Sequence, residues 1–125
     1  MDLKWNSDLD NEKKKIKKFE AILDKPSVEL FETFIRECAT SGIKLVFVYT
    51  PEYIEGQKFE ANRSTIIKLY NNYAKKYNIT LLDYSSDSIC YNNQFFYNSM
   101  HLNKTGAELF SEKLAHDLKQ LDILK

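Results

Sequence analysis

Lys44-Leu45-Val46-Phe47-Val48-Tyr49-Thr50 is an unbroken apolar run, rich in β-branched and aromatic residues and bounded by Gly42 and Pro51. Such a run reads as a strand buried on both faces, the habit of parallel sheets whose crossover helices cover both sides. A second, shorter run, Ile79-Thr80-Leu81-Leu82-Asp83, reads as another strand. Between the two, a loop over 51–57 leads into a long helix. Phe59, Ile66, Tyr70, Tyr73 and Tyr77 mark one side of it, Ile67 and Ala74 widen that side, and Asn78 can end it in the left-handed conformation. Strand, helix, strand is the crossover unit of parallel sheets.

Upstream, Pro26 and Ser27 open a helix expected from Ser27 to Thr40. Phe31, Phe34, Ile35 and Cys38 recur at helical spacing, Glu29 and Glu32 lie in the early turns, and Gly42 is a natural stop. Residues 1–25 form a polar extension in which Ile16, Phe19, Ile22 and Leu23 sketch a weak helical stripe. Downstream, 84–102 is a long segment dense in Ser, Asn and Asp with Tyr91, Phe95, Phe96 and Tyr97 interleaved, and a loop of that length is usually functional or packed by its own aromatics. A last helix, Glu108 to Leu121, is expected to bury Ala107, Phe110, Leu114, Leu118 and Leu121. The fold class is therefore α/β, a small parallel sheet flanked by helices. A two-stranded sheet leaves edges unpaired and apolar surface uncovered, so either a homodimer or a missing N-terminal half is expected.

At 125 residues the chain is one domain's worth, able to bury roughly two thirds of its unfolded surface. Basic and acidic residues balance at 18 each, so no global field would hold nucleic acid or an anionic membrane. The local exception, Lys13-Lys14-Lys15-Ile16-Lys17-Lys18, is flanked by Asp8, Asp10 and Glu12 and reads as a solvated helix face. No apolar run approaches the roughly 18 residues of a membrane span, and Met1-Asp2-Leu3-Lys4-Trp5 is not followed by a signal-peptide core, which implies a cytoplasmic protein if the chain is whole. Cys38 and Cys90 fit no metal or redox spacing and read as free, partly buried thiols, with a disulfide the lesser alternative. Neither strand is followed by a glycine-rich phosphate loop, and no cofactor is expected.

The chemistry concentrates in Asn98-Ser99-Met100-His101-Leu102-Asn103-Lys104-Thr105-Gly106-Ala107. A histidine titrates near neutrality and can take and return a proton at working pH. Asn103 is suited to cap the following helix, and Gly106 would let backbone pack close by. In this order, Val48-Tyr49-Thr50-Pro51, a helix, Tyr77 to Asp83, a loop, then His101-Leu102-Asn103 and Gly106 resemble the C-terminal half of the SGNH (GDSL-type) hydrolases, over roughly Gly42 to Leu121. The resemblance implies that residues 26–125 are half of a flavodoxin-like, three-layer α/β/α domain. It also implies descent from ester or acyl hydrolases acting on an ester-, acyl- or carbohydrate-bearing substrate, with His101 as the base.

Two departures bear on activity. The family's orienting aspartate, three residues before the histidine, is Asn98 here. An amide carries no charge and can select the wrong tautomer; in the serine-protease example that change costs about ten-thousandfold in turnover. Second, nothing between Met1 and Ser41 fits the family's Gly-Asp-Ser nucleophile block or its Gly-x-Asn-Asp oxyanion block, and Ser85-Ser86-Asp87-Ser88 reads as a hydrogen-bonded turn. The isolated chain is thus expected to be inactive, and a non-enzymatic binding or assembly module is the alternative. Pro51 and Glu52 follow the C-terminal end of a strand, where α/β sheets place ligands. Phe96 and Tyr97 read either as packing or as a pocket wall beside His101. His116, next to Asp117, reads as an exposed helix residue with no spacing that would pair it with His101 on a metal.

Overall fold

A computed structural model describes residues 4–16 and 18–121, so Lys17 of the basic run lies outside the described residues. The elements in order are α1 (Asp8–Lys15), α2 (Lys25–Thr40), β1 (Val46–Tyr49), α3 (Ile54–Phe59), α4 (Arg63–Lys76), β2 (Thr80–Asp83), two short 3₁₀ turns (Ser88–Tyr91 and Asn93–Phe95) and α5 (Lys104–Gln120). The protein is a mixed α/β chain with a two-stranded parallel sheet. Among the described residues no helix is long and apolar enough to cross a membrane. Two compact units form. One takes residues from Lys18–Thr50 and Glu60–Tyr84, the other from Met1–Lys17, Pro51–Phe59 and Ser85–Lys125.

The first unit holds the sheet. Val46 pairs with Thr80, Phe47 with Leu81, Val48 with Leu82 and Tyr49 with Asp83. Each strand is launched by the same helix exit. In α2, Gly42 has φ +71, its N–H donates to the Ala39 carbonyl, and Ile43 N–H reaches back to the Cys38 carbonyl at 2.9 Å. In α4, Asn78 has φ +54 and Ile79 N–H reaches the Ala74 carbonyl at 2.8 Å. Both are Schellman ends, which satisfy carbonyls the helix leaves open and turn the chain sharply. Phe31 of α2 and Tyr70 of α4 meet Phe47 with ring centroids 5.7 and 6.2 Å apart, so both helices pack on the Phe47 side of the sheet.

Several details differ from expectation. β1 is half-buried along its length rather than buried on both faces. The first helix starts two residues earlier, at Lys25, because the Asp24 carboxylate caps it by accepting from Ser27 N–H at 3.1 Å and from the Ser27 hydroxyl at 2.6 Å. On its outer side Leu30 and Phe34 remain 71% and 51% exposed. The long helix expected from Phe59 is interrupted, and its main part begins at Arg63. Residues 60–62 are diverted from helical bonding: Glu60 bridges Phe19, Ala61 N–H donates to the Phe19 carbonyl, and the Asn62 side chain both accepts from Ala21 N–H (2.9 Å) and donates to its carbonyl (2.6 Å). The same bonds hold Phe19 and Ala21 extended, so the helical stripe sketched through Ile16, Phe19, Ile22 and Leu23 does not form.

One ionic cluster ties α2 to α4. A single oxygen of Glu32 accepts from Lys76 Nζ at 2.8 Å, the Tyr77 hydroxyl at 2.8 Å and the Arg36 guanidinium at 3.2 Å. The bonds from Lys76 and Tyr77 hold the Glu32 carboxyl down from 4.5 to about 2, and the same carboxylate raises the Lys76 ammonium. A carboxyl lowered on folding stabilises above its unfolded value, and that contribution fades as pH falls through the folded one. Glu32→Gln is therefore expected to lower the urea midpoint at about pH 7, with the gap to wild type closing between 4.5 and about 2. A gap that stays constant down to pH 2 would show that the carboxylate contributes nothing through its charge.

The second unit gathers α1, α3, α5 and the segment between β2 and α5. Asp8 and Asp10 lie in the first turn of α1 and Lys13, Lys14 and Lys15 in its last, each favourable to the helix dipole. Lys13 also meets Glu55 at 3.5 Å. The expected long loop is ordered by its own Asx groups. Asp87 caps the first 3₁₀ turn through Ile89 N–H at 2.9 Å and meets Lys113 at 2.8 Å. Burial raises the Asp87 carboxyl, but the Ile89 N–H and Lys113 outweigh it and leave it lowered. Asn92 caps the second turn through Gln94 N–H. Ile89, Cys90, Phe96 and Phe110 are buried. On α5 Gly106 faces inward and Ala107, expected in the core, is exposed. Cys38 and Cys90 are buried thiols that form no disulfide.

Candidate active site on the His101 turn

The His101 turn is built backwards from the start of α5. Asn103 is only 5% exposed, and its side-chain oxygen accepts from Gly106 N–H at 2.9 Å, the N-cap its position implied. Its amide nitrogen also donates to the Gln94 carbonyl at 2.6 Å, and its own N–H donates to the Phe95 carbonyl at 2.9 Å. One residue thus fastens the helix start to the end of the preceding turn. An antiparallel bridge between Phe96 and Leu102 and a bond from Tyr97 N–H to the His101 carbonyl (3.1 Å) close a tight hairpin, with Asn98, Ser99 and Met100 at its tip.

At that tip the Asn98 side-chain oxygen accepts from Met100 N–H at 3.0 Å and from His101 N–H at 2.9 Å, an Asx turn. The same oxygen lies 2.9 Å from His101 Nδ1. The His101 ring is exposed and stacks on Tyr97, with centroids 5.4 Å apart and planes 14° from parallel. The back of the hairpin is held at three points. Asn6 N–H donates to the Tyr97 carbonyl at 2.7 Å, Tyr53 N–H donates to the Ser99 carbonyl at 3.0 Å, and Gly56 packs so closely that an added Cβ would sit 2.7 Å from Ser99 Cβ. Tyr53 then meets Phe96 (5.9 Å) and Trp5 (4.8 Å) ring to ring.

Of the residues singled out from sequence, Asn98, Tyr97 and His101 converge. Phe96 is 0% exposed and carries packing, leaving Tyr97 as the ring beside the imidazole. Pro51 is fully buried, and Glu52 anchors the segment through its carbonyl, which accepts from the Gln57 side chain at 2.8 Å while that nitrogen also reaches the Ser85 carbonyl. Gly56, Tyr53 and Trp5 support the turn from distant positions. The sequence placed Gly56 in a loop over 51–57, part of which folds instead as α3, and nothing in it marked the close approach. His116 lies exposed on α5. Among the described residues no three His, Cys, Asp or Glu side chains are arranged to hold a metal ion.

The arrangement offers one exposed imidazole, fixed in plane by a stacked ring and in azimuth by a bond to Nδ1, on a turn whose ends are pinned by a capped helix. Such a group can accept a proton from a hydroxyl brought to its other nitrogen. Compared with known proteins, the chain matches no protein-family model, no curated protein and no solved structure.

Proposed function

We propose that this chain carries the base-bearing half of an SGNH-type hydrolase site acting on an ester or acyl group, with His101 as general base and Asn98 as its orienter. In that reading the two parallel strands and their helices are part of a flavodoxin-like layered domain. The nucleophile and oxyanion donors come from another segment or chain bearing a Gly-Asp-Ser block, and residues 1–125 alone do not turn over esters. The observation that carries the reading is the 2.9 Å contact between His101 Nδ1 and Asn98, three residues apart on a turn capped by Asn103. His101 Nε2 would take the proton of a serine hydroxyl as its oxygen attacks the carbonyl carbon, and return it to the leaving group.

The test is to express any coding sequence contiguous with this chain together with it and to assay p-nitrophenyl acetate and butyrate, alongside His101→Ala. Hydrolysis that falls by about a hundredfold or more in the variant supports the reading. An extended product without a Gly-Asp-Ser block, or hydrolysis indifferent to His101, defeats it. The second reading, a non-enzymatic binding or assembly module, is supported by the exposed Leu30 and Phe34 on α2. It predicts that His101→Ala leaves every interaction of the protein intact.

A further inference from the structure

Asn98 looks like a lost carboxylate, but the hydrogen bonds at the turn tip give it a defined task. Its side-chain oxygen receives the backbone N–H groups of Met100 and His101. Backbone N–H groups only donate, so the atom they converge on must be an acceptor; turning the amide over would aim an NH₂ at two other donors. The amide is therefore held oxygen-first. That oxygen is also the atom facing His101 Nδ1. An amide oxygen cannot donate, so the proton of that bond belongs to Nδ1, and Nε2 keeps its lone pair.

We infer that Asn98 is a positioning residue that fixes His101 in the Nδ1–H tautomer and so makes Nε2 its basic nitrogen. The inference deepens the proposed function, on which its catalytic meaning rests, but the tautomer itself stands on the turn alone. In the serine-protease example an asparagine in place of the aspartate yields the wrong tautomer. Here two main-chain donors remove that choice. Asn98 supplies the orientation and the tautomer that a carboxylate would supply, and omits the charge. The Tyr97 ring, stacked on the imidazole, restricts its plane and makes no bond to either ring nitrogen, so tautomer selection is assigned to Asn98 and not to the stack.

The experiment is long-range ¹H–¹⁵N correlation on the histidine-labelled chain, at a pH where both rings are neutral. His116, exposed on α5, is the reference in the same spectrum and is expected to show the Nε2–H form that free histidine prefers. Wild-type His101 is expected to show the reverse pattern, with a protonated Nδ1 and a pyridine-like Nε2. Asn98→Asp is expected to keep it. Asn98→Ala is expected to return His101 to the pattern of His116. Asn98→Ser covers the case in which alanine disorders the turn, because its hydroxyl can still accept from the backbone N–H groups but is too short to hold Nδ1. A wild-type His101 that matches His116, or an Asn98→Ser protein with native turn amide shifts and an unchanged Nδ1–H pattern, overturns the inference. Neither result depends on hydrolysis. Absent hydrolysis by the extended product with the expected tautomer would reject the proposed function alone, and His101-dependent hydrolysis with the opposite tautomer would reject the role of Asn98 and of Nε2 as the base while leaving ester hydrolysis standing.

Discussion

Gly106→Ala is expected to destabilise the protein by about 3 kcal/mol, a fall in thermal midpoint of roughly 10 °C, although alanine is the better helix former. The reason is contact. A Cβ at this position would run into the Phe95 carbonyl oxygen and lie 3.0 Å from both Leu102 Cδ2 and Phe95 Cβ. The carbonyl cannot step aside cheaply, because it already accepts from Asn103 N–H at 2.9 Å. Helix propensity would return at most about 1 kcal/mol. Thermal unfolding followed by circular dichroism checks the result, and an unchanged or raised midpoint would mean that the turn ahead of α5 yields freely.

Asn103→Ala is expected to cost a similar amount, about 3 kcal/mol, from two losses together. Removing the cap is typically worth about 1 kcal/mol. The second loss arises because the residue is buried: the Gln94 carbonyl loses the amide that reaches it at 2.6 Å, which adds about 1–3 kcal/mol. Asn103→Ser separates the two. It keeps a cap but cannot span to Gln94, so its urea midpoint is expected between those of alanine and wild type. Serine matching wild type would show that the bond to Gln94 is dispensable.

These two positions also show which parts of the molecule could be read in advance. Asn103, Gly106 and the pairing of Asn98 with His101 were legible because their partners lie three residues away, within reach of spacing rules. The strands and the left-handed exits at Gly42 and Asn78 were legible for the same local reason. Residues 16–23 and 60–62 were not. Asn62 holds Ala21 across 41 residues, and nothing in either segment's periodicity announces that bond. Likewise the segment from Tyr84 to Leu102 looked like one loop because its order comes from Asx caps at Asp87 and Asn92, which leave no apolar period. Gly56 against Ser99 is a meeting of backbones, visible only once both are placed.

The short reach of the bonds around His101 has a kinetic meaning. Within the hairpin and its junction with α5, leaving aside the anchors from Asn6 and Tyr53, partners are at most nine residues apart, whereas Glu32 must find Lys76 across 44. Closing small loops costs little chain entropy and takes far less than a microsecond, while joining distant segments is slow. The start of α5 and the turn before it form a low-contact-order unit that can assemble ahead of the parallel strands. Amide hydrogens at Gly106 and Asn103 should then gain exchange protection earlier in refolding than those of β1 and β2, so the imidazole is already aimed while the sheet is still being made.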